Sequence, residues 1–336
     1  FSGMNNAFTR QVVPIVLAIG LLWYVLKDVP LNQLAGQFQR ADYGWLSLVA
    51  LLTGLYVVVR AARWRLTLQA IGFSPSLFRA TIALLAGSLA GMIVPGAGEL
   101  TRCSTLQRTD GVLLTQGIGS VVAERIVDLI MLAATLLLTV LMEFSRMRRY
   151  VTGITLALPS TMLTLSLVSL CVLVGLFLFW VSRRLTVRQH PLVLKVTALL
   201  RGFGKGFMAI RQLPQPGLFI ALTLASQCIT WLSTYCLLLT ADETRLLPPT
   251  AALTILAVGS IGGLVVPTQG GIGTYHFLVS RALVLYGFSA AGGAVVATFL
   301  HAVGFGINLL LSSTSFLILP FLLRKKRSPI TRQPVS

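Results

Sequence analysis

Five ionisable residues interrupt stretches that are otherwise apolar. Glu99 and Arg102 lie three apart in "VPGAGELTR"; Glu124, Arg125 and Asp128 follow in "VVAERIVDLIML". At that spacing Glu99 and Arg102 share a helical face and can pair. Glu124 and Asp128, four apart, also share a face. Two carboxylates there require cations, which Arg102 or Arg125 can supply. Charges at membrane depth are costly and mark ion or substrate paths. Two chemistries fit. In one, the charges form a buried network that fixes the helices. In the other they line a cavity, where arginines neutralise a lipid phosphate and acids take a cationic group or a proton. One network can do both.

A second group sits in "PTQGGIGTYHFLVSRALVLYG". Gly270, Gly271 and Gly273 permit a tight turn with exposed backbone N–H groups. A helix is expected to begin near Thr274, and its N-terminus favours anions. Tyr275 and His276 stand at that tip, and Arg281 lies about two turns further in. His276 is a candidate acid or base, although a single histidine in such a setting is more often structural; His190 and His301 are weaker candidates. No nucleotide-binding loop is present: Gly202-Phe-Gly-Lys-Gly lacks the required spacing. Glu124 and Asp128 have no histidine at ligand spacing. No metal or cofactor is expected.

These residues must be held by membrane helices. Of 336 residues, 55% are hydrophobic and 11% charged, with a mean hydropathy of +0.85. A soluble domain carries about 25% charged residues. Uncharged apolar runs long enough to span a bilayer recur. The ten-residue alternating segments of a membrane barrel do not. The net charge of +18 fits cytoplasmic loops facing anionic lipid, and nothing supports nucleic-acid binding. The four cysteines, with no C-x-x-C spacing, read as small hydrophobes. Phe1-Ser2-Gly3 ahead of Met4 reads as a tag remnant.

Six full spans are expected, near 12–27, 44–60, 117–142, 150–181, 217–240 and 290–323. Arg60, Arg63, Arg65 and Arg79 read as a positive cytoplasmic loop after the second. "EFSRMRRY" reads as the separator after the third, although its arginines then fall on the outer side. Residues 183–216 have the pattern of a basic amphipathic helix on anionic headgroups, or of one packed on the protein's own loops. The tail 326–336 is basic and expected to be flexible. The charge pattern places both termini in the cytoplasm.

One phrase occurs twice. "GSLAGMIVP" at 87–95 returns as "GSIGGLVVP" at 259–267, 172 residues later, and Gly98 matches Gly270. Pro95, Gly98, Pro267, Gly270, Gly271 and Gly273 are the expected turn residues. With three spans between the copies, each phrase reads as a re-entrant hairpin entering from the opposite side. The expected fold is therefore an all-α polytopic membrane protein: one domain over 4–325, with six spans and two re-entrant hairpins. Its inverted repeats cover about 44–142 and 217–323. Broken helices at matching positions point to a transport site near the midplane, because unpaired backbone at that depth needs a polar cavity.

"VPGAGELTR", "AERIVDL" and "PTQGGIGTYHFLVSRAL", in that order, resemble the lysylphosphatidylglycerol synthase transmembrane-domain family of flippase-like proteins. The resemblance covers roughly 10–325. It implies that Glu99, Arg102, Glu124, Arg125 and Asp128 are the family's polar motif residues. Pro267, Gly271 and Gly273 would form its second turn. It further implies movement of a lipid between leaflets. Many members carry an Arg-Glu pair where this chain has Tyr275-His276. The expected function is a transporter of a phosphate-bearing lipid, aminoacylated and polyprenyl lipids being candidates, in a bacterial cytoplasmic membrane. The alternatives are a membrane enzyme acting on lipid phosphates with His276 as acid or base, and a non-transporting partner of a lipid-modifying enzyme.

Overall fold

The computed structural model describes Gly20, Trp23 and residues 31–94, 96–153, 213–265 and 269–324. Among these residues every regular element is helical: α1 Leu31–Arg40, α2 Tyr43–Ala70, α3 Leu77–Ile93, α4 Ala97–Asp110, α5 Leu114–Gly153, α6 Pro216–Leu239, α7 Pro249–Val265, α8 Thr274–Val284 and α9 Ala290–Arg324. A single 3-10 turn, Gln269–Gly271, precedes α8. Among the described residues, four helices are long and apolar enough to cross a membrane: α2, α5 over Leu114–Arg149, α6, and α9 over Ala290–Leu323. The chain is a multi-pass helical membrane protein. Apart from Gly20, Trp23, residues 150–153 and residues 213–216, the expected spans near 12–27 and 150–181 and the basic helix at 183–216 lie outside the described residues, as do the tail, Pro95 and Pro267.

The chain divides into two units, residues 1–139 with 213–336, and residues 140–212. In the second, the last turns of α5 carry an ion pair one turn long, Arg146 Nε to Glu143 Oε2 at 3.2 Å. "EFSRMRRY" is therefore helix, not a separator. It contains no glycine or proline to end a helix, and its charges pair along the helix face.

In the first unit, two antiparallel hairpins of short helices pack among the long ones. α3 and α4 meet at Gly87 and Gly98, where a Cβ on Gly87 would come within 2.7 Å of the Gly98 carbonyl oxygen. At the far end Arg79 pairs with Asp110 at 2.9 Å. α7 and α8 pack in the same sense: Gly259 faces the Tyr275 ring, and Thr254 shares a 2.7 Å hydrogen bond with the Tyr286 hydroxyl. α3 and α7 both have 17 residues, and Gly87 and Gly259 hold the same place in the repeated phrase. At each of these glycines a Cβ would clash with the partner helix of its hairpin.

Local signals explain the ends. Asp42 accepts from the Gly44 and Trp45 amides to start α2, and Ser76 accepts from the Arg79 amide to start α3. Gly96, with φ +81°, opens α4, a left-handed conformation that only glycine adopts without strain. Under the first hairpin lies a core of Trp64 and Leu68 from α2, Ala83 and Leu84 from α3, Cys103 and Leu106 from α4, and Val121 from α5. Under the second, Leu238, Ile255, Val279, Leu283, Phe299 and Leu300 do the same.

Candidate functional site

Helix α2 does not end at Arg60. It continues as one helix to Ala70, which places Arg60 and Arg63 inside the helix bundle rather than in a cytoplasmic loop. Ala61, Trp64 and Leu68 are buried, so this face of α2 must pack inward. Arg63 goes in with it because carboxylates on α5 receive it.

The result is a closed ring of alternating charges. Arg63 contacts Glu124 (Nε to Oε1, 3.4 Å), and Glu124 pairs with Arg102 (Oε2 to Nη1, 3.0 Å). Arg102 pairs with Glu99 at 2.6 Å, and Glu99 with Arg125 at 2.8 Å. Arg125 contacts Asp128 at 3.4 Å, and Asp128 closes the circle on Arg63 at 2.6 Å. Three arginines balance three carboxylates. The five motif residues are thus brought together, and Glu99 and Arg102 pair as their spacing predicts.

Arg60 stands beside the ring as a fourth cation with no carboxylate of its own. Its nearest acid is Asp128, already held by two arginines, at 3.8 Å. Its Nη1 donates weakly to the Tyr56 hydroxyl at 3.5 Å. Its Nε is buried with no hydrogen-bond partner, as is Nε of Arg102. The ring is graded in exposure. Glu124 is fully buried and Arg63 and Arg102 nearly so, whereas Asp128, Glu99 and Arg125 are 31%, 39% and 46% exposed. The Arg102 guanidinium also lies 4.7 Å from the centre of the Trp64 ring, and the Trp64 indole donates to Ser120 at 3.0 Å. The buried arc is a structural clamp and the open arc faces space.

That space is two cavities. The first, of about 500 Å³, is lined by Arg60, Glu99, Arg102 and Arg125 together with Ser88, Gly91, Asn308 and the hydroxyls of α6. The second, of about 590 Å³, is lined by Arg60, Arg63, Arg125 and Asp128 with Gln227, Ser260 and Gly263. Tyr56, Arg60, Arg125 and Thr230 line both. Ser88 and Gly91 of the first phrase face the first cavity. Their counterparts 172 residues later, Ser260 and Gly263, face the second.

The other expected residues serve turns and packing. Gly98 sits within α4 and serves close approach; the left-handed turn residue is Gly96. Gly270, Gly271 and Gly273 do take positive φ, and α8 begins at Thr274. His276, buried, accepts from the Gly273 amide through Nδ1 at 3.3 Å. His301 on α9 bonds the Gly270 carbonyl through Nε2 at 2.9 Å, and the two imidazole rings lie 4.6 Å apart. Tyr275, His276 and His301 therefore secure the second turn and line neither cavity. Arg281 is on an exposed face, over the Phe277 ring at 5.8 Å, and is not part of the ring. The described residues hold no cluster of metal-ligating side chains.

Reading the residues one by one missed Arg60, Arg63 and Asn308 as site residues. The only available signal for the first two was their spacing: Arg60, Arg63 and Trp64 share one helical face.

The family model for the lysylphosphatidylglycerol synthase TM region matches residues 11–312. The chain belongs to this family. No curated protein and no solved structure matches it. The ring and both cavities lie wholly within the stretch that the family model covers.

Proposed function

We propose that the protein moves a phosphate-bearing lipid between the leaflets of a bacterial cytoplasmic membrane, with Arg60 and Arg125 as the phosphate contacts. The observation that carries this reading is the surplus cation. A neutral ring of three arginines and three carboxylates leaves Arg60 on a wall common to two cavities. Such a charge needs an anion, and guanidinium groups bind phosphate oxygens in pairs. Apolar residues beside the charge, Leu52, Val57, Leu84 and Leu85 in the first cavity and Leu129, Leu132, Leu256 and Leu264 in the second, suit acyl or prenyl chains.

The repeat supports alternating access. The two hairpins act as re-entrant elements of an inverted repeat, each facing one cavity with the same serine and glycine, and the phosphate passes from one cavity to the other across Arg60. No step of chemistry is required of the lipid. Membership of a family named for the membrane region of a lipid synthase agrees with a lipid substrate.

The test is translocation in proteoliposomes carrying fluorescent anionic phospholipid, read by quenching of the outer leaflet. Wild type accelerates exchange over protein-free vesicles, and Arg60→Ala reduces the rate at least about tenfold, the loss of one charge-assisted contact. A wild-type rate equal to that of empty vesicles overturns the proposal.

A further inference from the structure

Every carboxylate of the site is already paired with at least two arginines. Each oxygen of Glu99 lies in ion-pair contact with a different arginine, Oε2 with Arg102 at 2.6 Å and Oε1 with Arg125 at 2.8 Å. Asp128 is shared among Arg63, Arg60 and Arg125, and Glu124 lies between Arg63 and Arg102, fully buried. An ammonium group entering either cavity would meet a carboxylate already paired with arginines, Glu99 in the first and Asp128 in the second, beside the surplus charge of Arg60.

Apart from Arg60, Glu99, Arg102 and Arg125, the lining of the first cavity is uncharged and includes several hydrogen-bonding groups. Asn308 accepts from Ser88 at 3.1 Å and from Ser312 at 3.2 Å, both at Oδ1. Its amide is thereby fixed, with the two Nδ2 hydrogens left to donate along the cavity wall that Asn308 lines. On α6, Thr230 and Thr234 spend their hydroxyl protons on carbonyls of the preceding turn, at 2.8 and 2.9 Å. Each therefore offers only lone pairs to the cavity. The wall thus presents a fixed donor and fixed acceptors in the same cavity as the arginines. A hydroxyl is the group that satisfies both, since it accepts and donates at one atom.

We infer that this wall is a headgroup site for an uncharged polyol carried on a phosphodiester, and that the site rejects aminoacylated headgroups. Asn308 is the specificity-determining residue. The inference rests on the lipid-transport reading and narrows its substrate to a polyol phosphodiester lipid. Glycerol on a diacyl lipid and a sugar on a polyprenyl phosphate both present this chemistry.

The experiment has two readouts on the purified full chain. Short-chain phosphatidylglycerol, lysyl-phosphatidylglycerol, phosphatidylcholine and a glycosyl-phosphate polyprenol are compared for saturable binding in detergent. Their fluorescent analogues are compared for exchange in proteoliposomes. At least about tenfold tighter binding of one polyol lipid than of the lysyl and choline lipids is expected, and the better polyol lipid identifies the source. Asn308→Asp keeps the acceptor for Ser88 and Ser312 but replaces the donor with a carboxylate, so it narrows or reverses that preference. Equal or tighter binding of the lysyl lipid by wild type overturns the inference and leaves transport standing. Selective polyol binding without exchange overturns transport and leaves the headgroup site standing. The wild-type comparison decides the matter even where Asn308→Asp lowers stability.

Discussion

Arg102 and Glu124 meet at 3.0 Å with side chains 3% and 0% exposed, one on the second helix of the first hairpin and the other on the long helix that follows. Neither charge can be there alone, since a buried unpaired ion costs several kcal/mol. Each is acceptable because the other is present, and because Arg63 from a third helix shares Glu124. The pair therefore ties α2, α4 and α5 together at one point and orients the open arc of the ring, where Glu99 and Arg125 reach the first cavity.

Glu124→Gln keeps the shape of the side chain and removes its charge. Arg63 and Arg102 are then left facing each other with one carboxylate fewer between them. Breaking a buried pair in this way costs about 3–5 kcal/mol. Thermal unfolding in detergent should show a large drop in melting temperature. The same measurement on Arg125→Ala, whose side chain is 46% exposed, should show a loss below about 1 kcal/mol. Equal losses for the two variants would contradict the division between a structural and an open arc.

The first hairpin is tuned for close approach at one pair of glycines. A methyl group on Gly87 would lie 2.7 Å from the Gly98 carbonyl oxygen, and one on Gly91 would meet its nearest atom, the Gly98 Cα, at 3.7 Å. The first is a clash with backbone and the second an ordinary contact. Gly87→Ala should destabilise by about 1–3 kcal/mol, the typical cost of overpacking, and slow lipid exchange by splaying α3 from α4. Gly91→Ala should stay close to wild type in both. Comparing the two in the melting assay tests the packing with matched chemistry.

Much of this architecture was legible because its signals are local. Glycines at 270, 271 and 273 announce a left-handed turn and a helix start at Thr274. Glu99 and Arg102 announce their own pairing by spacing. The four long helices follow from uninterrupted apolar runs. Arg60 and Arg63 were not legible: a cluster of arginines after an apolar run is also what a cytoplasmic flank looks like. Only Asp128, 65 residues beyond Arg63, and Glu124 distinguish the two cases, and that relation exists only in the folded chain. Glu143 and Arg146 misled in the other direction. Charges suggested a break, yet a helix needs a breaker to stop, and i,i+3 pairing favours its continuation. Arg281, amid apolar sequence neighbours, stands on an exposed face of α8 apart from the ring.

The second turn is held by a carbonyl that has been removed from helical pairing. His301 bonds the Gly270 oxygen at 2.9 Å, and Phe305 packs where a Gly270 side chain would be. His301→Leu leaves that carbonyl without its imidazole partner. The cost should be about 1–3 kcal/mol, visible as a lower melting temperature. Lipid binding in detergent should hold near wild type, because His301 lines neither cavity. A variant that melts normally and loses binding would instead place His301 in the substrate path.

Ser88 and Ser260 are the same residue of the two repeats, and each lines its own cavity. If the repeats are inverted in the bilayer, these cavities open toward opposite leaflets. A single cysteine at each position, in a chain with its native cysteines replaced, converts that geometry into sided chemistry. Ser88→Cys should react with a membrane-impermeant thiol reagent from one face of sealed vesicles, and Ser260→Cys from the other. Adding Arg60→Ala removes a side chain that lines both cavities. Each cysteine should then gain reactivity from its formerly closed side. Labelling of both single-cysteine proteins from the same face would refute inversion, whatever the lipid.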